Sequence, residues 1–184
     1  MFGLYERHAE RRPAKPRVLD FGCGRLTRHS PVDARHKGVA CDLNSDHVAW
    51  CRENIRGFQT VVNAPMPLLS FEDSSIDFAY LHSIFTNLPD AATLAWFADL
   101  ARIIRPGGIV AITTHRYSAI DISIGSVLHD KKFGLDFSSA SVLLIDLEGS
   151  RGYIHLPYGP ENLKAANVGV DYGNSFFHAG HARR

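Results

Sequence analysis

The stretch RVLDFGCGRLTRH, residues 17–29, sets an acid, Asp20, ahead of two glycines, Gly22 and Gly24, at the end of an apolar run. Glycines in such a place do two things: they take backbone angles closed to other residues, and they let a ligand approach the main chain with no side chain between. A second acid, Asp42, follows Gly24 by 18 residues at the end of the next apolar run. There a carboxylate can accept hydrogen bonds from both hydroxyls of a ribose. A GxG alone also describes an ordinary tight turn; with Asp42 in step it describes a cradle for a nucleoside cofactor. The dinucleotide fingerprint GxGxxG fails at Thr27, which serves a pyrophosphate poorly and puts an NAD(P)-dependent oxidoreductase second. Asp20, ahead of the loop, suits a cationic ligand.

These residues need strands that end where they stand. Residues 18–21 read as a short buried strand stopped by Gly22, and 38–41 as the next, closed by Asp42. Residues 25–37 between them, broken by Pro31, are near the lower limit of about a dozen for a parallel crossover, so the first crossover helix must be stunted. Ser45 is placed to cap a helix through DHVAWCRENI, with Val48, Cys51 and Ile55 as its apolar stripe. Residues 59–62 give a third strand, PMPLLSFEDSS a proline-rich loop, and 76–81 a fourth strand. Pro89 and Asp90 open a second helix, AATLAWFADLARIIR, with Asp90 as cap and Leu94, Phe97, Ala101 and Ile104 at helical spacing. Pro106, Gly107 and Gly108 end it before a β-branched fifth strand, 109–114. This alternation predicts an α/β fold: a doubly wound, mostly parallel sheet with helices on both faces. Past His115 the pattern loosens. Residues 142–147 and 153–156, joined by EGSRG, read as a hairpin in a region that is either a lid or a shortened, irregular sheet edge.

Length and composition frame this. A chain of 184 residues suits one domain, with a lead-in at 1–15, a cofactor-binding core at 16–115 and a lid, substrate or edge region at 116–184. Hydrophobic residues make up 45% and charged residues 21%, which excludes disordered and fibrous classes. Twenty basic against 19 acidic side chains leave +1, so no global field draws nucleic acid or a membrane surface, and neither is expected as a partner. Cys23, Cys41 and Cys51 are odd in number and form no CxxC, which points away from a disulfide framework or zinc site and toward a reducing, cytoplasmic setting. No apolar run approaches the ~18 residues of a span, and the opening MFGLYERHAERRPAK lacks a signal peptide's apolar core.

Four segments in order carry a resemblance. VLDFGCG resembles the first motif of class I S-adenosylmethionine-dependent methyltransferases, and GVACDLN, PLLSFEDSSIDFAYLHSIFTNLP and LARIIRPGGIVAITTH resemble its successors. The likeness covers roughly residues 16–115 and is nearest to the small-molecule, type 11-like branch. It implies a Rossmann-like methyltransferase fold, S-adenosylmethionine as cofactor and a small-molecule methyl acceptor as partner. Carried over by position, it implies that Gly22, Cys23 and Gly24 pass under the methionine portion and that Asp20 holds its amino group. Asp42 would take the ribose hydroxyls, Leu43 pack on adenine, and Asn63 with Ala64 meet the adenine edge. Leu81, His82 and Ser83 fall where the family's chain passes the reactive methyl. Two departures stand out. The family usually has a further glycine soon after GCG, where here Arg25 and Leu26 follow, which is expected to weaken cofactor binding or turnover. SFFHAGHARR resembles the start of the family's last helix, so the chain reads as truncated at its C-terminal end.

Methyl transfer is an in-line displacement in which the cofactor carries the hard chemistry and the protein supplies alignment and exclusion of water. It needs no metal. His82 and His115, at carboxyl ends of strands, are the candidate bases for a hydroxyl or amine acceptor, although a histidine so placed is more often a hydrogen-bonded wall residue. His178 and His181 lack the further ligands a metal site needs. Arg11, Arg12, Lys15 and Arg17 read as a solvated lead-in. Trp50, Trp96 and Phe97 read as helix faces packing on the sheet. A cofactor-binding module that has lost turnover is the alternative of a different class, and an exposed sheet edge would suit a homodimer.

Overall fold

Two short apolar strands set the centre of the sheet. In the computed structural model, which describes residues 2–9, 13–25, 35–114, 153–158, 163 and 172–177, β1 (Arg17–Phe21) is hydrogen-bonded on one side to β2 (Lys37–Asp42) and on the other to β4 (Ile76–Leu81). β3 (Phe58–Val62) and β5 (Ile104–Ile112) flank them, giving a five-stranded sheet in the order β3-β2-β1-β4-β5 with every pairing parallel. Strands buried on both faces read as continuous apolar runs, and all six residues of β4 are buried. The strand order reverses direction between β1 and β4, and in such sheets the crevice beyond the carboxyl ends at that point is where ligands bind. The loop carrying Gly22 and Gly24 starts there.

Helices cover both faces. Residue alternation puts Val18 and Phe78 on the side of α1 (Phe2–His8), where Tyr5 and Ala9 pack with Val18, Phe78, Tyr80 and Ala111. The N-terminal segment is therefore a packed helix as well as a basic lead-in. Lys15 is exposed, whereas Arg17 places its guanidinium 5.5 Å from the Phe71 ring centroid and donates its backbone N–H to Asp77 at 2.7 Å. Arg11 and Arg12 lie outside the described residues, as do residues 26–34, where the stunted first crossover helix is expected. α2 (Ser45–Asn54) presents Val48 and Cys51 inward as expected, with Trp50, Ile55 and Phe58 packed around Cys23, Ala40 and Cys51. Its cap is Asn44, not Ser45: Asn44 Oδ1 accepts from the N–H groups of Asp46 and His47 at 2.9 and 3.4 Å. A capping oxygen has to reach the second or third helical N–H, and Asn44 is the residue so placed.

α3 (Asp90–Ile103) lies on the other face, with Trp96 edge-on to Phe21 at 4.9 Å between centroids. It corrects the sequence reading twice. Pro89 accepts the first helical bond, from Thr93 N–H at 2.9 Å, so Asp90 is the first helical residue and not the cap. The buried stripe is Trp96, Asp99, Leu100 and Ile103, while Leu94 is 50% exposed. An acid on the inner face hid that stripe, and Arg102 is the reason it can be there. Its guanidinium donates to Asp99 Oδ1 at 2.8 Å, Asp73 Oδ1 at 2.8 Å, and the carbonyls of Phe71 and Leu69 at 2.7 and 2.9 Å. Leu69 N–H closes the set on Asp99 Oδ2 at 2.6 Å. One side chain thus fastens the proline-rich loop to α3. The fifth strand starts earlier than expected, at Ile104, and passes through Pro106, Gly107 and Gly108 as an irregularity in its pairing with β4. Arg105 pairs with the buried Asp77 at 3.0 Å, and a Cβ on Gly108 would fall 2.9 Å from the Asp77 carbonyl oxygen.

The chain divides into two compact units, Met1–Ile84 with Leu94–Ile112, and Phe85–Thr93 with Thr113–Arg184. In the second, β6 (Tyr153–Pro157) pairs antiparallel with β7 (Gly173–Phe177). The expected partner of β6, residues 142–147, lies outside the described residues. Ser175–Phe177, expected to open a helix, form a strand: Ser175 and Phe176 are buried, and β7 donates from Gly173 and Ser175 to the Asn87 and Thr86 carbonyls at 3.0 and 2.7 Å. Tyr153 Oη and Ser175 Oγ both donate to the Leu88 carbonyl. No described helix is long and apolar enough to cross a membrane.

Replacing Arg102 by Met should cost about 2–3 kcal/mol in urea unfolding, because it leaves the carboxylate of Asp99, 1% exposed, with its charge uncompensated. An unchanged midpoint would show that the loop is held by other contacts. Burial raises the phenol pKa of Tyr153, so its contribution to stability is complete below the ordinary tyrosine value of about 10 and is lost as pH rises through the higher folded value. An alkaline titration followed by tyrosinate absorbance should show it ionising late, with its exposure on unfolding.

Candidate functional site

β1 runs out at Phe21, and the chain turns through Gly22 and Gly24 with φ of 70° and 50°, the left-handed region. The N–H groups of Gly22 and Cys23 both donate to the Cys41 carbonyl, at 2.8 and 3.0 Å, folding the loop over the end of β2. The two glycines differ in what they leave open. A Cβ on Gly22 would lie 2.1 Å from Ile84 Cδ1, so the protein's own side chain fills that space. Among the described residues, a Cβ on Gly24 would meet nothing within 4 Å. Among the described residues, Gly24 is the open side of the loop.

Asp42 holds this arrangement. Its Oδ2 accepts from Gly24 N–H at 2.8 Å and its Oδ1 from Asn44 N–H at 2.8 Å. His47 Nδ1 lies 3.6 Å from Oδ2, and the Asp42 side chain is 12% exposed. A carboxylate has about four acceptor positions, so two remain once the loop and the helix cap are served. The Asp42 carbonyl in turn accepts from Asn63 N–H at 3.0 Å. Asn63 Nδ2 donates to the Ala64 carbonyl at 2.8 Å, and Asn63 Oδ1 is buried without a hydrogen-bond partner among the described residues. Leu43 and Ala64, exposed, continue the adjacent ends of β2 and β3.

Hydrogen bonds therefore bring Gly22, Cys23, Gly24, Asp42 and Asn63 together, with Leu43 and Ala64 next to them in the chain. Asp20 is buried within β1, in register with Ala40 and Tyr80. Leu81 is wholly buried in β4, whereas His82 and Ser83 beyond it are exposed, Ser83 with φ of 58° and its Oγ 3.4 Å from His82 Nδ1. His115, His178 and His181 lie outside the described residues. Among the described residues no group of three His, Cys, Asp or Glu side chains is placed to hold a metal ion. Sequence reasoning missed His47 and Ile84. His47 lies in the first turn of α2, which the Asn44 cap opens beside Asp42, and Ile84 follows β4, whose pairing with β1 sets it near Gly22.

A family model described as a methyltransferase domain matches residues 19–112, just over half of the chain. The chain belongs to this methyltransferase family. Solved structures of low identity share the fold. A methyltransferase described as S-adenosylmethionine-dependent from Methanosarcina mazei is 18% identical, with 97% of this chain and 78% of that one covered at a TM-score of 0.54. The YcgJ protein of Bacillus subtilis is 17% identical, with 92% and 78% covered at 0.53. A protein from Pyrococcus horikoshii is 13% identical, with 96% and 86% covered at 0.53. No curated protein matches the sequence. The matched segment runs from Leu19 in β1 to Ile112 in β5 and so contains the whole glycine loop of this methyltransferase domain, Asp42 and the ends of β3 and β4.

Gly22→Ala should cost about 3 kcal/mol, combining overpacking against Ile84 with left-handed strain, while Gly24→Ala should cost only the strain, about 1–2 kcal/mol. Adding Ile84→Ala to Gly22→Ala should remove the steric part. Equal costs for the two glycines in urea unfolding would refute the role given to Ile84.

Proposed function

We propose that this methyltransferase domain moves a methyl group from S-adenosylmethionine to a small-molecule acceptor, holding the cofactor across the carboxyl ends of β1, β2 and β3. S-adenosylmethionine is the cofactor that the family and its structural neighbours imply. The observation that carries the reading is the pairing of Gly24's open side with an Asp42 carboxylate that retains acceptor positions. The residues fit such a group. Asp42 would accept the ribose hydroxyls, Leu43 pack on the adenine, and the orphaned Asn63 Oδ1, beside Ala64, accept from its exocyclic amine. Gly22, Cys23 and Gly24 would line the methionine portion, with Asp20 at the end of β1 compensating its amino group and Leu81 contributing backbone alone. When bound, the cofactor supplies a methyl group on a cationic sulfonium, an activated carbon for displacement.

His82 is the described group best placed to take a proton from the acceptor, being exposed directly beyond β4. His115, at the end of the fifth strand in sequence, is the second candidate. The step from Gly24 to Arg25 without a further glycine, together with Ile84 over Gly22, favours one second reading: a domain that binds the nucleoside and does not turn over.

Calorimetry with S-adenosylhomocysteine should show binding that Asp42→Ala weakens at least about tenfold, the loss expected for charge-assisted hydrogen bonds. No binding by the wild type, or an unchanged affinity in the variant, refutes the assignment. Screening acceptors by mass spectrometry for a methylated product separates the two readings, and with an acceptor in hand His82→Ala should lower turnover about 100-fold with cofactor affinity unchanged.

A further inference from the structure

Two thiols meet at the glycine loop, and neither sulfur reacts in methyl transfer. Cys23 sits between the two glycines and Cys51 in the buried stripe of α2, 28 residues on, yet their sulfurs are 3.9 Å apart. Both are buried, at 2% and 0% exposure, and no disulfide joins them. Cys51 Sγ also donates to the Gly24 carbonyl at 3.3 Å, so a thiol proton is one of the contacts that sets the loop. A disulfide needs sulfurs at about 2.05 Å. The sulfurs are therefore about 2 Å too far apart as they stand, on two side chains that each turn about a single χ1 bond, one of them on a loop. Burial pushes the Cys41 thiol up.

We propose that Cys23 and Cys51 form a reversible disulfide, made by a small hydroperoxide, that locks the glycine loop to α2 and weakens cofactor binding. Only the last clause rests on the cofactor reading. An uncharged oxidant of a few atoms suits thiols this deeply buried. The Cys23 sulfur attacks hydrogen peroxide; an S–O bond forms, the O–O bond breaks, and hydroxide leaves with the thiol proton as water. The Cys51 sulfur then attacks the Cys23 sulfenic acid; the S–S bond forms, the S–O bond breaks, and hydroxide leaves with the Cys51 proton as a second water. Two thiols have lost two electrons, and one peroxide has become two waters. Cys51 now has no proton for the Gly24 carbonyl, and Cys23 is drawn toward α2. The N–H of Gly24, which Asp42 holds, moves with its loop.

The whole protein is treated with hydrogen peroxide and digested with trypsin and an aspartate-directed protease, which separates Cys41 from Cys51. A Cys23–Cys51 cross-linked peptide that dithiothreitol splits is expected. The oxidised protein should bind S-adenosylhomocysteine about tenfold more weakly, the effect of losing about one hydrogen bond, and recover on reduction. Cys51→Ser keeps a donor for Gly24 and should bind like the reduced wild type whether or not peroxide is present; if it does not fold, the wild-type peptide map decides. Cys23 and Cys51 remaining thiols, or reaching sulfinic acid without a cross-link, overturns the proposal. So does a disulfide that leaves the affinity unchanged. If the reduced protein binds no S-adenosylhomocysteine, the cofactor reading fails, and the cross-link alone decides the pairing.

Discussion

The carboxylate of Asp42 is the point on which the cradle depends. It stands at the end of β2, and each of its oxygens takes a backbone N–H, one from Gly24 in the loop after β1 and one from Asn44 at the start of α2. Charge-assisted bonds of this kind are the stronger ones. They fix the loop and the helix relative to the same strand end, and Asn44, so held, caps α2 with its own side chain. One acid thereby organises the loop, the helix start and, through its carbonyl, the residue that follows β3.

That arrangement needs a rigid floor, which the sheet and its faces supply. β1 lies between β2 and β4 with both sides buried, and Phe21 packs on Trp96 of α3 as Val18 packs beneath Tyr5 of α1. The long connection from β3 to β4 contains a proline-rich segment, and with Met66 and Leu68 exposed it is not held by apolar packing alone. Arg102 and Asp99 hold it by hydrogen bonds from α3. Asp99 tolerates burial because every contact that its charge requires is present. The same device, an acid buried against an arginine, recurs at Asp77 and Arg105, where the fifth strand joins β4.

Periodic features were legible in the sequence, and compensated ones were not. The five strands and the inner stripe of α2 follow from apolar runs and spacing, and they appear where those patterns place them, within a residue or two except at the start of β5. The inner face of α3 was misread because Asp99 interrupts it; a buried acid is paired in space by groups distant in sequence, and spacing carries no record of them. Residues 106–108 looked like a full stop between helix and strand, yet the ladder takes hold at Ile104, because Asp77 on the neighbouring strand receives Arg105. Tyr5 and Ala9 looked like part of a charged lead-in until β5 and β4 gave them a surface to cover. The strand at Gly173–Phe177 is set by pairing with β6 and with Thr86 and Asn87, partners about 20 and 90 residues away.

For the site the division is the same. The sequence by itself determined the residue types: two glycines where a strand ends, an acid at the end of the next, an asparagine after the third, and histidines beyond the fourth and fifth. Those types follow from local backbone needs and from what a nucleoside can be offered, and both are written along the chain. Only the tertiary structure decided which glycine stays open. Among the described residues, Gly22 is covered by Ile84 and Gly24 is not, because parallel pairing of β4 with β1 brings Ile84 over the first alone. It decided too that Cys23 and Cys51 face one another, since packing α2 on the sheet sets their sulfurs together. Contacts between elements depend on register and crossing, which no local stretch of sequence specifies.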